Sequence, residues 1–114
     1  MRTRPLVVTV FAWLYILVGA GGVVAHSREL LAQPRQSDSL WAVGTALTAI
    51  LAGAFVLHGR TWARWLAVAW MGFHVVISIF HTPVELIVHL VFLAVTVWAL
   101  FSRPAAGYFH PPDL

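Results

Sequence analysis

Four stretches of the chain are almost wholly apolar, and the charged residues fall in the gaps between them. The stretches cover residues 6–25, 40–58, 65–84 and 86–102. A helix of about 20 apolar residues is about 30 Å long, the thickness of a bilayer's hydrocarbon. With their flanks, the runs predict helices over about 5–25, 40–58, 62–81 and 83–102. The first run is 20 residues long, against about 7–15 for the apolar core of a signal peptide. It reads as a retained helix, although Arg2, Arg4 and Val23-Val24-Ala25 give it the basic start and small-residue end of a leader.

The gaps hold the punctuation. Residues 26–39 form the longest gap and carry Arg28, Glu29, Pro34, Arg35 and Asp38. Gly59 closes the second run, where glycine accepts the left-handed conformation of a helix C-terminus. Thr82-Pro83-Val84-Glu85 reads as a capping box, with Thr82 as N-cap, Pro83 at the first helical position and Glu85 reaching back. Beyond Arg103, Pro104, Gly107, Pro111 and Pro112 argue against a long helical tail.

Composition agrees with lipid as the solvent. The chain is 61% hydrophobic and 10% charged, where a soluble domain has about 25% charged residues. All seven basic residues are Arg, scattered in ones and twos. Scattered charges set topology and do not make a nucleic-acid surface, so no nucleic-acid partner is expected. With the N-terminus inside, Arg2, Arg4, Arg60, Arg64 and Arg103 lie on the inner side, and Arg28 and Arg35 on the outer. Five against two puts both termini in the cytoplasm. Trp62, Trp65, Trp98, Tyr108 and Phe109 fall near the inner interface, and Trp41 near the outer one. The expected architecture is therefore all-α: one membrane domain over 1–114, a four-transmembrane-helix antiparallel bundle in the cell (inner) membrane.

Two kinds of surface follow. Gly19, Gly21, Gly22 and Ala25 on the first helix, and Thr45, Ala49, Ala52 and Gly53 on the second, are small-residue faces that let helix backbones approach. They meet within the bundle or at a second subunit. The other surface is polar. His74, Ser78 and His81 form one stripe on the third helix, and Glu85, His89 and Thr96 one on the fourth. Counted from the turn at Thr82, His74 and His89 both sit about 10–12 Å below the rim, so they are expected at one level. His81 and Glu85 form a tier at the rim, which His26, Arg28 and Glu29 can join.

The polar stripe has structural and chemical readings. Structurally, Glu85 pairs with His89 one turn on, and His74 and His89 bond to each other or to backbone. Chemically, His74 and His89 suit a metal with a third ligand from Ser78 or another helix, a haem between two histidines, or a proton relay with Glu85. With no cysteine there is no thiolate site. No nucleophile–base pair is evident, so the chain reads as a non-enzyme with no cofactor.

The length and four-helix layout resemble the small multidrug-resistance transporters. That resemblance implies dimers and a first-helix glutamate exchanging protons for cationic drugs. Residues 5–25 contain no acid and Glu85 sits at the start of the fourth helix, so none of those functional residues carries over. A closer likeness rests on Gly59-Arg60-Thr61-Trp62-Ala63-Arg64-Trp65-Leu66, His74-Val75-Val76 and Arg103-Pro104-Ala105-Ala106-Gly107-Tyr108-Phe109. Over about half the chain these resemble small four-helix bacterial membrane proteins without an assigned activity. The expected function is a non-enzymatic structural or accessory protein, packing with itself or a larger membrane partner. The alternatives are a small proton-coupled transporter and a haem- or metal-binding protein.

Overall fold

The computed structural model describes residues 4–32 and 37–109. Arg2, Pro34, Arg35, His110 and the prolines at 111 and 112 lie outside the described residues. Among the described residues five helices follow one another: α1 (Leu6–Ala32), α2 (Ser37–Leu57), α3 (Thr61–Ser78), α4 (Pro83–Phe101) and α5 (Arg103–Phe109). Among the described residues there is no strand. Among these, three helices are long and apolar enough to cross a membrane: α1, the part of α2 from Leu40 to Leu57, and α4. Their outward faces are apolar, with Leu17, Leu47, Val91 and Trp98 all exposed. A surface of that kind suits lipid and not water.

The boundaries differ from the sequence expectation at the first gap, at the end of α3, which closes at Ser78, and in the tail. The first gap is shorter, because α1 runs on to Ala32 and α2 starts at Ser37. Residues 26–32 contain no glycine or proline to stop α1, and Ser27 Oγ bonds back to the Val24 carbonyl at 3.1 Å. The tail also differs, since it forms α5. Ser102 breaks α4 with an extended backbone (ψ 163°). Pro104 then falls in the first turn of α5, where a missing N–H costs nothing.

The most extensive helix contact is between α1 and α2. Glycines set its spacing. A Cβ added at Gly19 would lie 2.5 Å from the Ala46 carbonyl oxygen, and one at Gly53 would lie 2.5 Å from that of Ala12. Gly22 is nearly as tight, 2.9 Å from the Ala46 Cβ. Ala49 and Ala52 are fully buried. Gly21 is different: nothing lies within 4 Å of an added Cβ there. The small faces of α1 and α2 are thus largely used on one another inside the chain.

The opposite problem, too many polar groups, is handled where α2 ends. Gly59 has φ 73°, and the Gly59 and Arg60 N–H groups donate to the Val56 and Phe55 carbonyls at 3.0 and 3.1 Å. This is the paired closure of a glycine-terminated helix. The next carbonyl, Leu57, accepts from Arg4 Nη1 at 3.0 Å and from the Tyr108 hydroxyl. Thr61 Oγ1 donates to the Phe109 carbonyl at 2.9 Å. Arg4 before α1 and the end of α5 are so tied to the α2–α3 turn.

Arg64 is more than a rim charge. It is 4% exposed. Its Nη1 donates to the Leu100 carbonyl at 3.3 Å, and its guanidinium lies 4.4 and 4.8 Å from the Phe101 and Phe109 ring centres. Aromatic faces and a helix-end carbonyl both favour a cation. They hold it at the junction of α3, α4 and α5.

Gly53→Leu should lower stability in detergent by about 1–3 kcal/mol, the usual range for overpacking. Gly21→Leu should stay within about 1 kcal/mol of the parent. Thermal unfolding followed by circular dichroism separates the two. Equal melting of both variants would contradict the α1–α2 seam.

Candidate functional site

The site begins at the turn between α3 and α4. The Phe80 and His81 N–H groups donate to the Ile77 and Ser78 carbonyls at 3.0 and 3.1 Å, which winds α3 down. Thr82 then caps α4, its Oγ1 accepting from the Glu85 N–H at 3.2 Å, with Pro83 next in sequence. The Glu85 carboxylate does not complete a capping box or reach His89. It pairs with His81 Nδ1 at 3.1 Å on an exposed rim.

One helical turn deeper the polar side chains interlock. His74 Nδ1 lies 2.8 Å from the Trp70 carbonyl, and His89 Nδ1 lies 2.8 Å from the Glu85 carbonyl. A carbonyl only accepts, so each Nδ1 carries the proton. Ser78 Oγ donates to the His74 carbonyl at 2.7 Å and accepts from His89 Nδ1 at 2.6 Å. The chain of donation therefore runs His89 to Ser78 to the backbone of α3. Neutral imidazole protonated on Nδ1 keeps a lone pair on Nε2. Among the described residues no hydrogen-bond partner reaches Nε2 of His74 or His89.

The two imidazole centres are 5.9 Å apart, at an interplanar angle of 38°. The row of rings continues inward. His74 lies 4.1 Å from Trp70, and Trp70 lies 5.3 Å from Tyr15. Trp70 Nε1 donates to the Thr45 carbonyl on α2 at 2.8 Å. The Tyr15 hydroxyl donates to the Ala67 carbonyl on α3 at 3.0 Å and lies 3.5 Å from Thr96 Oγ1 on α4. Together these bonds cross-link all four long helices.

A cleft of about 500 Å³ opens between these helices. Phe11, Val18, Ala46, Met71 and Phe92 give it apolar walls. His74, His89, His26, Tyr15 and Thr96 supply its polar points.

Of the polar residues singled out from sequence, Ser78, His74 and His89 come together, and His81 and Glu85 form a separate pair. His26 joins the cleft, with its Nδ1 3.4 Å from Glu29 on its own helix. Thr45 spends its hydroxyl on the Trp41 and Ala42 carbonyls and contributes its own carbonyl to Trp70. Among the described residues no group of three or more His, Cys, Asp or Glu side chains is placed to hold a metal.

Tyr15 and Trp70 were not singled out. Their signal was present: each has a polar tip at mid-helix, away from the interfaces where such residues usually sit. No family model, curated protein or solved structure matches the chain.

Long-range ¹H–¹⁵N spectra of ¹⁵N-histidine protein should show His74 and His89 protonated on Nδ1. Ser78→Ala should shift His89 and cost about 0.5–1.5 kcal/mol of stability. Nε2-protonated rings would contradict the assigned bonding.

Proposed function

We propose that the chain is a four-crossing integral membrane protein of the cell membrane, with both termini cytoplasmic, which binds a small lipophilic molecule without transforming it. The fourth crossing is α3. The link between α2 and α3 is short, and so is the one between α3 and α4. Tyr108, just beyond the end of α4, bonds to Leu57 at the end of α2. If α2 and α4 both cross and both end on one side, α3 has to return across the membrane between them. It is 18 residues long, or about 27 Å. The arginine count supports the inward position of the shared end, with Arg60, Arg64 and Arg103 there and Arg28 at the other.

The cleft carries the functional part of the reading. Membrane proteins seldom keep polar side chains facing an open space within the bilayer unless something uses it. This makes the small carrier a closer description than the packing accessory. Gly19, Gly22 and Gly53, which motivated self-association, already pack against the neighbouring helix inside the chain.

Native mass spectrometry of protein released gently from its own membranes tests this. A bound small molecule should appear on the parent chain and be lost from Val18→Trp, which fills the cleft from its exposed rim. Bare protein in both spectra would defeat the binding reading. A stable complex with another membrane protein and no small molecule would favour the accessory one.

A further inference from the structure

The bonding inside the cleft restricts what it can hold. This inference rests on the cleft being a binding site in the bilayer. His74 donates its Nδ1–H to the Trp70 carbonyl, and His89 shares its Nδ1–H between the Glu85 carbonyl and Ser78 Oγ. What they offer a guest is therefore two Nε2 lone pairs, with ring centres 5.9 Å apart. In hydrocarbon such acceptors carry a desolvation cost until a donor reaches them. Three further donors that line the cleft, on Tyr15, Trp70 and Thr45, are engaged. The Tyr15 proton goes to Ala67, the Trp70 proton to Thr45, and the Thr45 hydroxyl back into α2.

Charge narrows the choice further. No carboxylate lines the cleft. A cation would enter with no counter-charge, and an anion would meet lone pairs in place of donors. Zinc needs three or four ligands, and among the described residues no three His, Cys, Asp or Glu side chains are placed to hold it. A neutral guest avoids these costs. The walls are aromatic and aliphatic, and a volume of about 500 Å³ lies within the range of small-molecule sites.

We propose that the cleft takes a neutral lipophilic molecule bearing a hydroxyl, phenolic or aliphatic, which donates its proton in a hydrogen bond to Nε2 of His74 or His89. The apolar body of the guest lies against Phe11, Val18, Met71 and Phe92. No proton is transferred and no bond is made or broken.

Two probes of nearly equal size separate this from simple apolar filling. 4-Octylphenol has the donor, and 4-octylanisole carries a methyl in place of the proton. Protein in lipid nanodiscs, labelled with ¹⁵N-histidine, is titrated with each. The phenol should move the His74 or His89 Nε2 resonance saturably and bind about tenfold more tightly than the ether, the size expected for one satisfied buried acceptor. In His74→Phe/His89→Phe, read by tryptophan fluorescence, the preference should shrink to about twofold or less. The comparison on the unmodified protein needs no variant to fold. Equal affinity for phenol and ether there would overturn the donor assignment while leaving the cleft as a binding site. No saturable binding of either probe would overturn the binding reading itself. Saturable displacement of both Nε2 resonances by zinc alone, at micromolar concentration, would overturn the neutral guest in favour of a metal.

Discussion

In hydrocarbon no water stands ready to satisfy a polar group, so each one must find its partner within the protein. That constraint accounts for most of the polar bonding in this bundle. Thr48, Ser78, His74 and His89 each bond to the carbonyl four residues back on their own helix. Thr45 does the same. Such local bonds leave the helices free to pack by shape alone. Tyr15 and Trp70 instead reach across to carbonyls of neighbouring helices. They lock α1 and α2 onto α3.

Shape then divides the molecule into a tight half and an open one. Glycine and alanine bring α1 and α2 into backbone contact along one seam. At the end where α2 meets α3, Arg64, Phe101, Phe109 and Tyr108 fill the space between helices. Toward the other end a cleft opens, lined by residues of α1, α2, α3 and α4. The histidine row lines that opening. Its backbone bonds satisfy the imidazole Nδ1–H groups.

Much of this was legible in the sequence, and the omissions have physical causes. Helix-terminating signals were local and readable: Gly59 takes the left-handed turn and Thr82 caps α4. The nearness of His74 to His89 followed from counting back from a short turn. Glu85 was read as completing its capping box or pairing with His89, and it bonds to His81 instead, because a carboxylate at an exposed rim takes the nearest donor. The extension of α1 was missed because helix formation does not stop where hydrophobicity does. Arg64 was read as an interfacial charge, since its burial depends on α5 folding back, and α5 is too short to announce itself by periodicity. The cleft depends on helix rotation and spacing, which no single helix's pattern contains.

The central claim is that all four long helices cross the bilayer with both ends on the cytoplasmic side. The chain has no cysteine, so single cysteines report position directly. Leu31, His81, His58 and Gly107 are exposed and can each be replaced. A membrane-impermeant maleimide should label Leu31→Cys and His81→Cys from outside intact cells. It should label His58→Cys and Gly107→Cys only after the membrane is opened. Labelling of His81→Cys and His58→Cys from the same side would contradict the account, because α3 would then not cross.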